Sequence, residues 1–333
     1  MAERDGGWSE QEITALVAKV GQLKASMSQV IIGQDNVIES LIICLLAGGH
    51  ALVEGVPGLG KTLLVKSLAQ ATDMHFRRVQ FTPDLMPSDI VGTEILEEDS
   101  TTRQRVFRFQ QGPVFTQVLL ADEINRAPPK TQSALLEAMQ ERSVTFAGQT
   151  HMLPQPFFVL ATQNPIEQSG TYPLPEAQLD RFLLRIDVGY PTEDEEMAMV
   201  SATTHAGLAD ATPAMDVASL LRLQLLVRDI EIGEHLLRYA TRLVRATRPQ
   251  DSAVASVIKH VGWGAGPRAG QALVLASKAR ALMQGRLAVT RDDIGAMLLP
   301  VLAHRVLRNF EAEADGVAIA DILVALRSDI KVD

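Results

Sequence analysis

Cysteine is nearly absent from this chain: Cys44, inside the apolar run LIICLLAGG, is the single one in 333 residues. No internal disulfide can form, so the sequence points to a reducing compartment and to a thiol serving as a small buried hydrophobe. Aromatic residues make up only 5% of the chain, which leaves the core to aliphatic side chains. Long apolar runs are missing too. The longest, Leu41 to Gly49, falls far short of the ~20 residues that cross a bilayer. The opening MAERDGGWSEQE lacks the basic-then-apolar order of a secretory signal. Together these absences predict a cytoplasmic protein without membrane insertion. Basic charge is in deficit as well, with a formal net charge of -9, so a nucleic-acid surface would have to be a local patch working against the overall field. The histidines His50, His75, His151, His205, His235, His260 and His304 show no metal-ligand spacing such as HExxH.

What is present is a globular composition, 47% hydrophobic and 21% charged, at a length that suggests two domains on a prior of ~150 residues each. Residues 9 to 31 carry Ile13, Leu16, Val17, Val20 and Leu23 at helical spacing. From about 50 to 188 the texture alternates. HALVE, FRRVQF, VLLAD, FFVLAT and LLRIDV are strand-like runs separated by helix-length segments, the pattern of an α/β domain with a mostly parallel five-stranded sheet flanked by helices. Two hairpins interrupt it, at about 94–109 and 144–154, the second turning at Ala147-Gly148-Gln149. Past Pro191 and its run of four acids, strands disappear and helical periodicity continues to the end. The expected division is therefore 1–190, an N-terminal helix and α/β core with two inserted hairpins, and 191–333, a helical unit. The run Glu193-Asp194-Glu195-Glu196 suits a solvated helix N-terminus, where negative charge is favoured.

Gly55, Gly60, Lys61 and Thr62 satisfy the GxxxxGK[ST] spacing of a phosphate-binding loop. The loop sits where such a loop must, after the strand-like ALVE and before the helical LLVKSLAQAT, so backbone N–H groups and a helix N-terminus can face phosphates. Gly55, Val56, Pro57, Gly58, Leu59, Gly60, Lys61, Thr62 and Leu63 form the candidate ATP-binding segment, with Lys61 meeting the β and γ phosphates and Thr62 a Mg²⁺ ion. Hydrolysis needs more than a loop. The run VLLADE ends a buried strand in two carboxylates: Asp122 can reach Mg²⁺, and Glu123 can polarise the attacking water.

With these residues in place, the chain resembles the AAA+ ATPases, and within them the MoxR family. The resemblance rests on VIIGQDNVI, EGVPGLGKT, QFTPDLMPSDIVG, QGPVF, LLADEINRAPPKTQSALLEAMQE, ATQNP, LPEAQLDRF and GPRAG, in family order over about residues 30 to 270. It implies a P-loop core with a C-terminal helical lid, and a ring of subunits, by family habit a hexamer. It also implies that Asn164 in ATQNP sits beside the γ phosphate and the attacking water as sensor 1. Arg181 in LDRF resembles an arginine finger reaching into the neighbouring subunit. Arg268 in GPRAG resembles the sensor 2 arginine that ties the lid to the γ phosphate. Its position fits a binding role, because an arginine in the first turn after Pro267 opposes the helix dipole. Arg126 in DEINRAP is a further candidate for a subunit junction.

By the same resemblance the two hairpins match the helix 2 insertion and the hairpin before sensor 1 that group MoxR proteins with magnesium chelatases and replicative helicases. In helicases the second hairpin brings basic residues to DNA. Here its tip, Phe146-Ala147-Gly148-Gln149, is uncharged, so no nucleic-acid partner is expected. The implied function is an Mg-ATP hydrolase that remodels or matures a protein client, with a von Willebrand factor A domain supplied by a separate chain. The alternatives are a metal-chelatase-type ATPase subunit, or a nucleotide-switched scaffold with little turnover. Intact Lys61, Asp122, Glu123, Asn164 and Arg181 argue against the scaffold.

Overall fold

The computed structural model describes residues 7–56, 58–98, 104–164, 170–205 and 210–332. Pro57 of the predicted loop and Pro165 of ATQNP lie outside the described residues, as does part of the first predicted hairpin, residues 99–103. None of the described helices is long and apolar enough to cross a membrane.

Two helices lead in, α1 (Glu10–Ser28) and α2 (Asp35–Leu46), followed by β1 (Ala51–Gly55), α3 (Lys61–Ala71), β2 (Phe76–Gln80) and α4 (Pro87–Val91). A hairpin of β3 (Gly92–Glu98) and β4 (Arg105–Gln111) precedes β5 (Val118–Asp122) and α5 (Pro129–Glu141). A second hairpin, β6 (Ser143–Phe146) with β7 (Gln149–Met152), precedes β8 (Phe158–Gln163), α6 (Glu176–Leu179) and β9 (Leu184–Val188). The five strands anticipated from the apolar runs form one sheet, ordered β2-β5-β8-β1-β9, and every pairing in it is parallel. A parallel sheet covered by helices on both faces buries both sides of its strands, which is why they read as continuous apolar runs rather than alternating ones. The order also decides where chemistry can occur. β5, β8 and β1 are neighbours, so the loops leaving their C-terminal ends converge on one edge of the sheet.

The first inserted hairpin is longer than expected, and the second turns more tightly. β3 and β4 pair from Gly92↔Gln111 to Glu98↔Arg105, two residues beyond the predicted span at the open end. In the second hairpin Gln149 already pairs with Phe146, so the turn is the two residues Ala147-Gly148. Both have positive φ, 47° and 80°, the backbone that a two-residue turn between right-twisted strands requires. Phe109 of β4 stacks on Phe146 and His151 of the second hairpin at centroid distances of 5.2 and 4.5 Å, so the two insertions pack against each other.

After β9 the chain is helical: α7 (Glu193–His205), α8 (Val217–Asp229), α9 (Glu234–Arg245), α10 (Ala255–His260), α11 (Pro267–Met283), α12 (Arg291–Leu302), α13 (Phe310–Ala314) and α14 (Ile319–Asp329). One ladder interrupts it. β10 (Val261–Trp263) runs antiparallel to β11 (Leu307–Arg308), a pairing of two and three residues that is too short to leave a period-two pattern in sequence. The α1 helix fastens this lid to the core. Trp8 donates to Asp229 at 2.9 Å, Lys19 pairs with Asp216 at 2.6 Å, Arg222 pairs with Glu12, and Ser26 donates to the Thr212 carbonyl at 2.7 Å. One apolar cluster consequently runs from Leu23 and Met27 of α1 through β1 to Leu223 of α8 and Leu273 of α11.

Candidate functional site

The predicted loop leaves β1 and ends at α3, whose N-terminal cap is Gly60 in the left-handed region at φ 72°. Gly58 is also left-handed, at φ 90°, and a Cβ at either glycine would meet nothing within 4 Å. These two residues are therefore glycines for backbone reasons: only glycine adopts this turn freely, and the open space in front of it admits a ligand. Gly55 is glycine for a different reason, since a Cβ there would lie 2.6 Å from the Val188 carbonyl. Lys61 folds back to donate to the Gly55 carbonyl. Burial pushes its ammonium below the usual lysine range, while Asp122, Glu123 and Glu54 pull the other way.

Gly58, Gly60, Lys61 and Thr62 line a cleft of about 280 Å³ together with Asp122, Glu123 and Asn164, as well as Arg78, Gln80 and Thr162. The sequence-predicted loop, carboxylate pair and sensor asparagine thus share one cavity. Its charges are tied together. Asp122 accepts from the Thr162 hydroxyl at 2.6 Å and from Arg78 at 2.7 Å, and Glu123 accepts from Gln80 at 2.9 Å and Arg126 at 2.8 Å. Glu123 sits at φ 55°, a conformation that non-glycine residues seldom hold without support. Support comes from Thr162, whose hydroxyl oxygen accepts from the Glu123 N–H at 2.8 Å. One hydroxyl thereby positions both carboxylates.

Arg181 and Arg268 lie elsewhere. They line a second cleft of about 320 Å³ with Arg142, Arg228 and Arg305, and its only acid is Asp180. Neither arginine lines the cleft of Lys61. Arg268 occupies the first turn of α11 after Pro267 as anticipated, yet the fold brings it to Arg181 rather than to the phosphate-binding loop of its own chain. The Arg181 turn is clamped to the lid: buried Arg305 donates to Asp180 at 2.7 Å and to the Phe182 carbonyl at 2.6 Å, and buried His304 contacts the same carbonyl at 3.1 Å. Buried His50 works beneath the cleft. Its Nδ1 accepts from the Val159 N–H at 3.0 Å and its Nε2 faces the Met139 carbonyl at 3.3 Å, which is the pattern of the neutral Nε2–H tautomer. Burial pushes its pKa down to about 4.

Sequence reasoning missed Thr162, Gln80, Arg78 and Arg305. Thr162 carried a usable signal: it is a hydroxyl near the end of a wholly apolar strand run, where an unpaired polar group would be costly. Arg78 and Gln80 depend on the register of β2 with β5, which sets Gln80 beside Asp122 and which no local pattern encodes.

Comparison with known proteins gives the family. Residues 50–184 match the family described as "ATPase family associated with various cellular activities (AAA)", and residues 257–325 match the AAA lid domain. Chaperone MoxR1 of Mycobacterium tuberculosis is 43% identical over 309 residues, covering 91% of this chain and 80% of that protein. Protein MoxR of Paracoccus denitrificans is 32% identical over 326 residues, covering 92% and 94%. A crystal structure from Cytophaga hutchinsonii superimposes with a TM-score of 0.90 at 38% identity, covering 97% of this chain and 98% of that one.

Proposed function

The chain belongs to the MoxR family of AAA+ ATPases, and from that premise we propose that it hydrolyses Mg-ATP at interfaces between its own copies and uses the turnover to remodel or mature a protein client. The observation that carries the reading is the split between two clefts. One gathers the phosphate-binding loop, both carboxylates and Asn164, and the other gathers Arg181 and Arg268. Neither is a complete site. A ring, a hexamer by family habit, would join the first cleft of one copy to the second cleft of the next. In this reading residues 1–190 form the nucleotide-binding unit and 191–333 the lid.

Within one copy, Lys61 and the N–H groups before α3 hold the β and γ phosphates, the arrangement favoured at a helix N-terminus. The donors available for Mg²⁺ are the Thr62 hydroxyl and the Asp122 carboxylate, both lining the same cleft, and oxygen donors suit this hard cation. Among the described residues no group of three histidine, cysteine or acidic side chains could form a cage of its own, which fits an ion held by one carboxylate, one hydroxyl and the substrate phosphates. The ion would neutralise charge that develops on the phosphates. Glu123 polarises the attacking water and Asn164 orients it, while Arg181 and Arg268 of the adjoining copy offset transition-state charge. A separate von Willebrand factor A domain chain as partner remains part of this proposal.

Glu123→Gln keeps an amide oxygen to accept from Gln80 and the backbone N–H that donates to Thr162, but removes the carboxylate. The variant is expected to bind ATP with near-normal affinity while turnover falls ~100-fold or more. Calorimetry and a phosphate-release assay on the same preparation check it, and normal turnover would remove Glu123 from the mechanism.

A further inference from the structure

The α7 helix is unusual within the chain: across Glu193 to Thr204 none of its residues is buried. Helices of this length draw most of their stability from packing an apolar face, so a helix with none of its residues from Glu193 to Thr204 buried is short of a partner. It carries Glu193, Asp194, Glu195 and Glu196 in its first turn, and Met197 and Val200 are 67% and 60% exposed. Among the described residues neither Glu193, Asp194 nor Glu196 forms an ion pair. The helix lies beside the phosphate-binding loop. Glu195 packs directly on Gly33, the neighbouring Gln34 donates to the Leu59 carbonyl at 3.3 Å, and Val188, just upstream, covers Gly55.

The complementary surface is in the lid. Between α8, α9 and α11 runs a groove of about 800 Å³ with Leu237, Val274 and Leu275 among its apolar lining and Arg228, Arg245, Arg248 and Lys278 as its cations. Its lining includes no acid. Asp251 comes nearest to answering the charge, at 3.5 Å from Arg245 and 3.7 Å from Arg248. The groove is continuous with the arginine cleft, since Arg228, Gln271 and Leu275 line both.

We propose that α7 of one copy docks in the lid groove of the next, its acids meeting Arg245, Arg248 and Lys278 and its Met197 and Val200 covering the apolar floor. The inference rests on the shared-site reading: when the phosphate-binding cleft of one copy meets the arginine cleft of another, the elements flanking the two clefts are brought together. Their opposite charge and matching apolar character select a second copy of this chain as the occupant. Such pairing would seat the arginine cleft in register as well as add contact, because complementary charges suppress wrong juxtapositions.

The test is charge exchange, read by sedimentation velocity of the full chain with ATP. Reversing α7 (Glu193→Lys, Asp194→Lys, Glu196→Lys) or the groove (Arg245→Glu, Lys278→Glu) should each weaken assembly at least ~10-fold, with ATP affinity of the dilute chain unchanged. A chain carrying both reversals should recover assembly. Met197→Asp serves as an independent variant that leaves the helix charge sign intact, and it too should weaken assembly. Normal assembly of both single reversals, or a doubly reversed chain no better than the worse of them, would overturn the docking. A parallel mixture of Glu123→Gln with Arg181→Ala separates the two readings. Recovered turnover there beside a failed charge exchange removes the docking and leaves the shared site standing, whereas no recovery removes the shared site and the docking with it.

Discussion

The two clefts differ in almost every property that chemistry uses. The phosphate-binding cleft holds two carboxylates, an ammonium and backbone turned by left-handed glycines, and the other holds five arginines around a single aspartate. The first can bind a triphosphate and prepare a water but has no arginine clear of its own carboxylates: Arg78 is bound to Asp122, and Arg126 to Glu123. The second offers Arg181 and Arg268, in a setting with little to oppose added negative charge. Under the proposed function, binding and transition-state stabilisation are built on different parts of this chain, so substitutions in the two clefts should fail in different ways.

The largest expected effect is in the arginine cleft. Arg181→Ala should bind ATP normally, because Lys61 and Thr62 sit in the other cleft, while turnover drops on the order of 1000-fold. Steady-state kinetics beside nucleotide titration reads this, and a parallel loss of affinity would break the comparison by placing Arg181 among the binding groups.

Acid should act on the same side of the molecule first. His50 lies under the arginine cleft, and its neutral ring satisfies both the Val159 N–H and the Met139 carbonyl. Above pH 6.5 the imidazole is neutral in the folded and unfolded chain alike, so its contribution is fully present. As pH falls from 6.5 toward 4, the unfolded chain takes up a proton that the folded one refuses, and stability decreases, by about 3 kcal/mol from this residue, before levelling. His304, held far below its ordinary value by burial, adds to the loss in the same direction. Urea unfolding between pH 7 and 4 measures it, and the slope should shrink in His50→Asn, whose carboxamide oxygen can still accept from Val159.

In the phosphate-binding cleft, Lys61→Ala should weaken ATP binding tenfold or more, about 1.4 kcal/mol. Calorimetry decides it, and unchanged affinity in a folded variant would remove the loop from the site. The smallest expected effect concerns nucleic acid. Despite the basic second cleft, the chain carries a net charge of -9 and the second hairpin turns on uncharged Ala147-Gly148, so duplex DNA should leave turnover unchanged at physiological salt. Salt-sensitive stimulation would instead make that cleft a nucleic-acid site.

How far the sequence reached follows from how local each feature is. The five strands were legible because doubly buried parallel strands read as apolar runs, and the loop because GxxxxGK[ST] between a strand and a helix leaves little alternative. Asp122, Glu123 and Asn164 follow from their places at strand ends. Features that depend on distant segments were not legible. The β10–β11 ladder joins residues over 40 positions apart, Arg78 and Gln80 act through strand register, and Arg305 reaches across 125 positions to Asp180. Arg268 shows the limit most clearly. Its place in the first turn of α11 was readable, but which cleft that turn faces is a property of lid packing.

The most direct measurement mixes two inactive chains. Glu123→Gln retains its arginines and lacks the water-orienting carboxylate, and Arg181→Ala retains the carboxylate and lacks the finger. Under conditions of subunit exchange, sites that pair the intact carboxylate of one chain with the intact arginine of the other should restore turnover, in the proportion random mixing gives. If the mixture hydrolyses ATP no faster than the sum of its parts, Arg181 acts within its own chain or only structurally, and the account of a site divided between two copies is wrong.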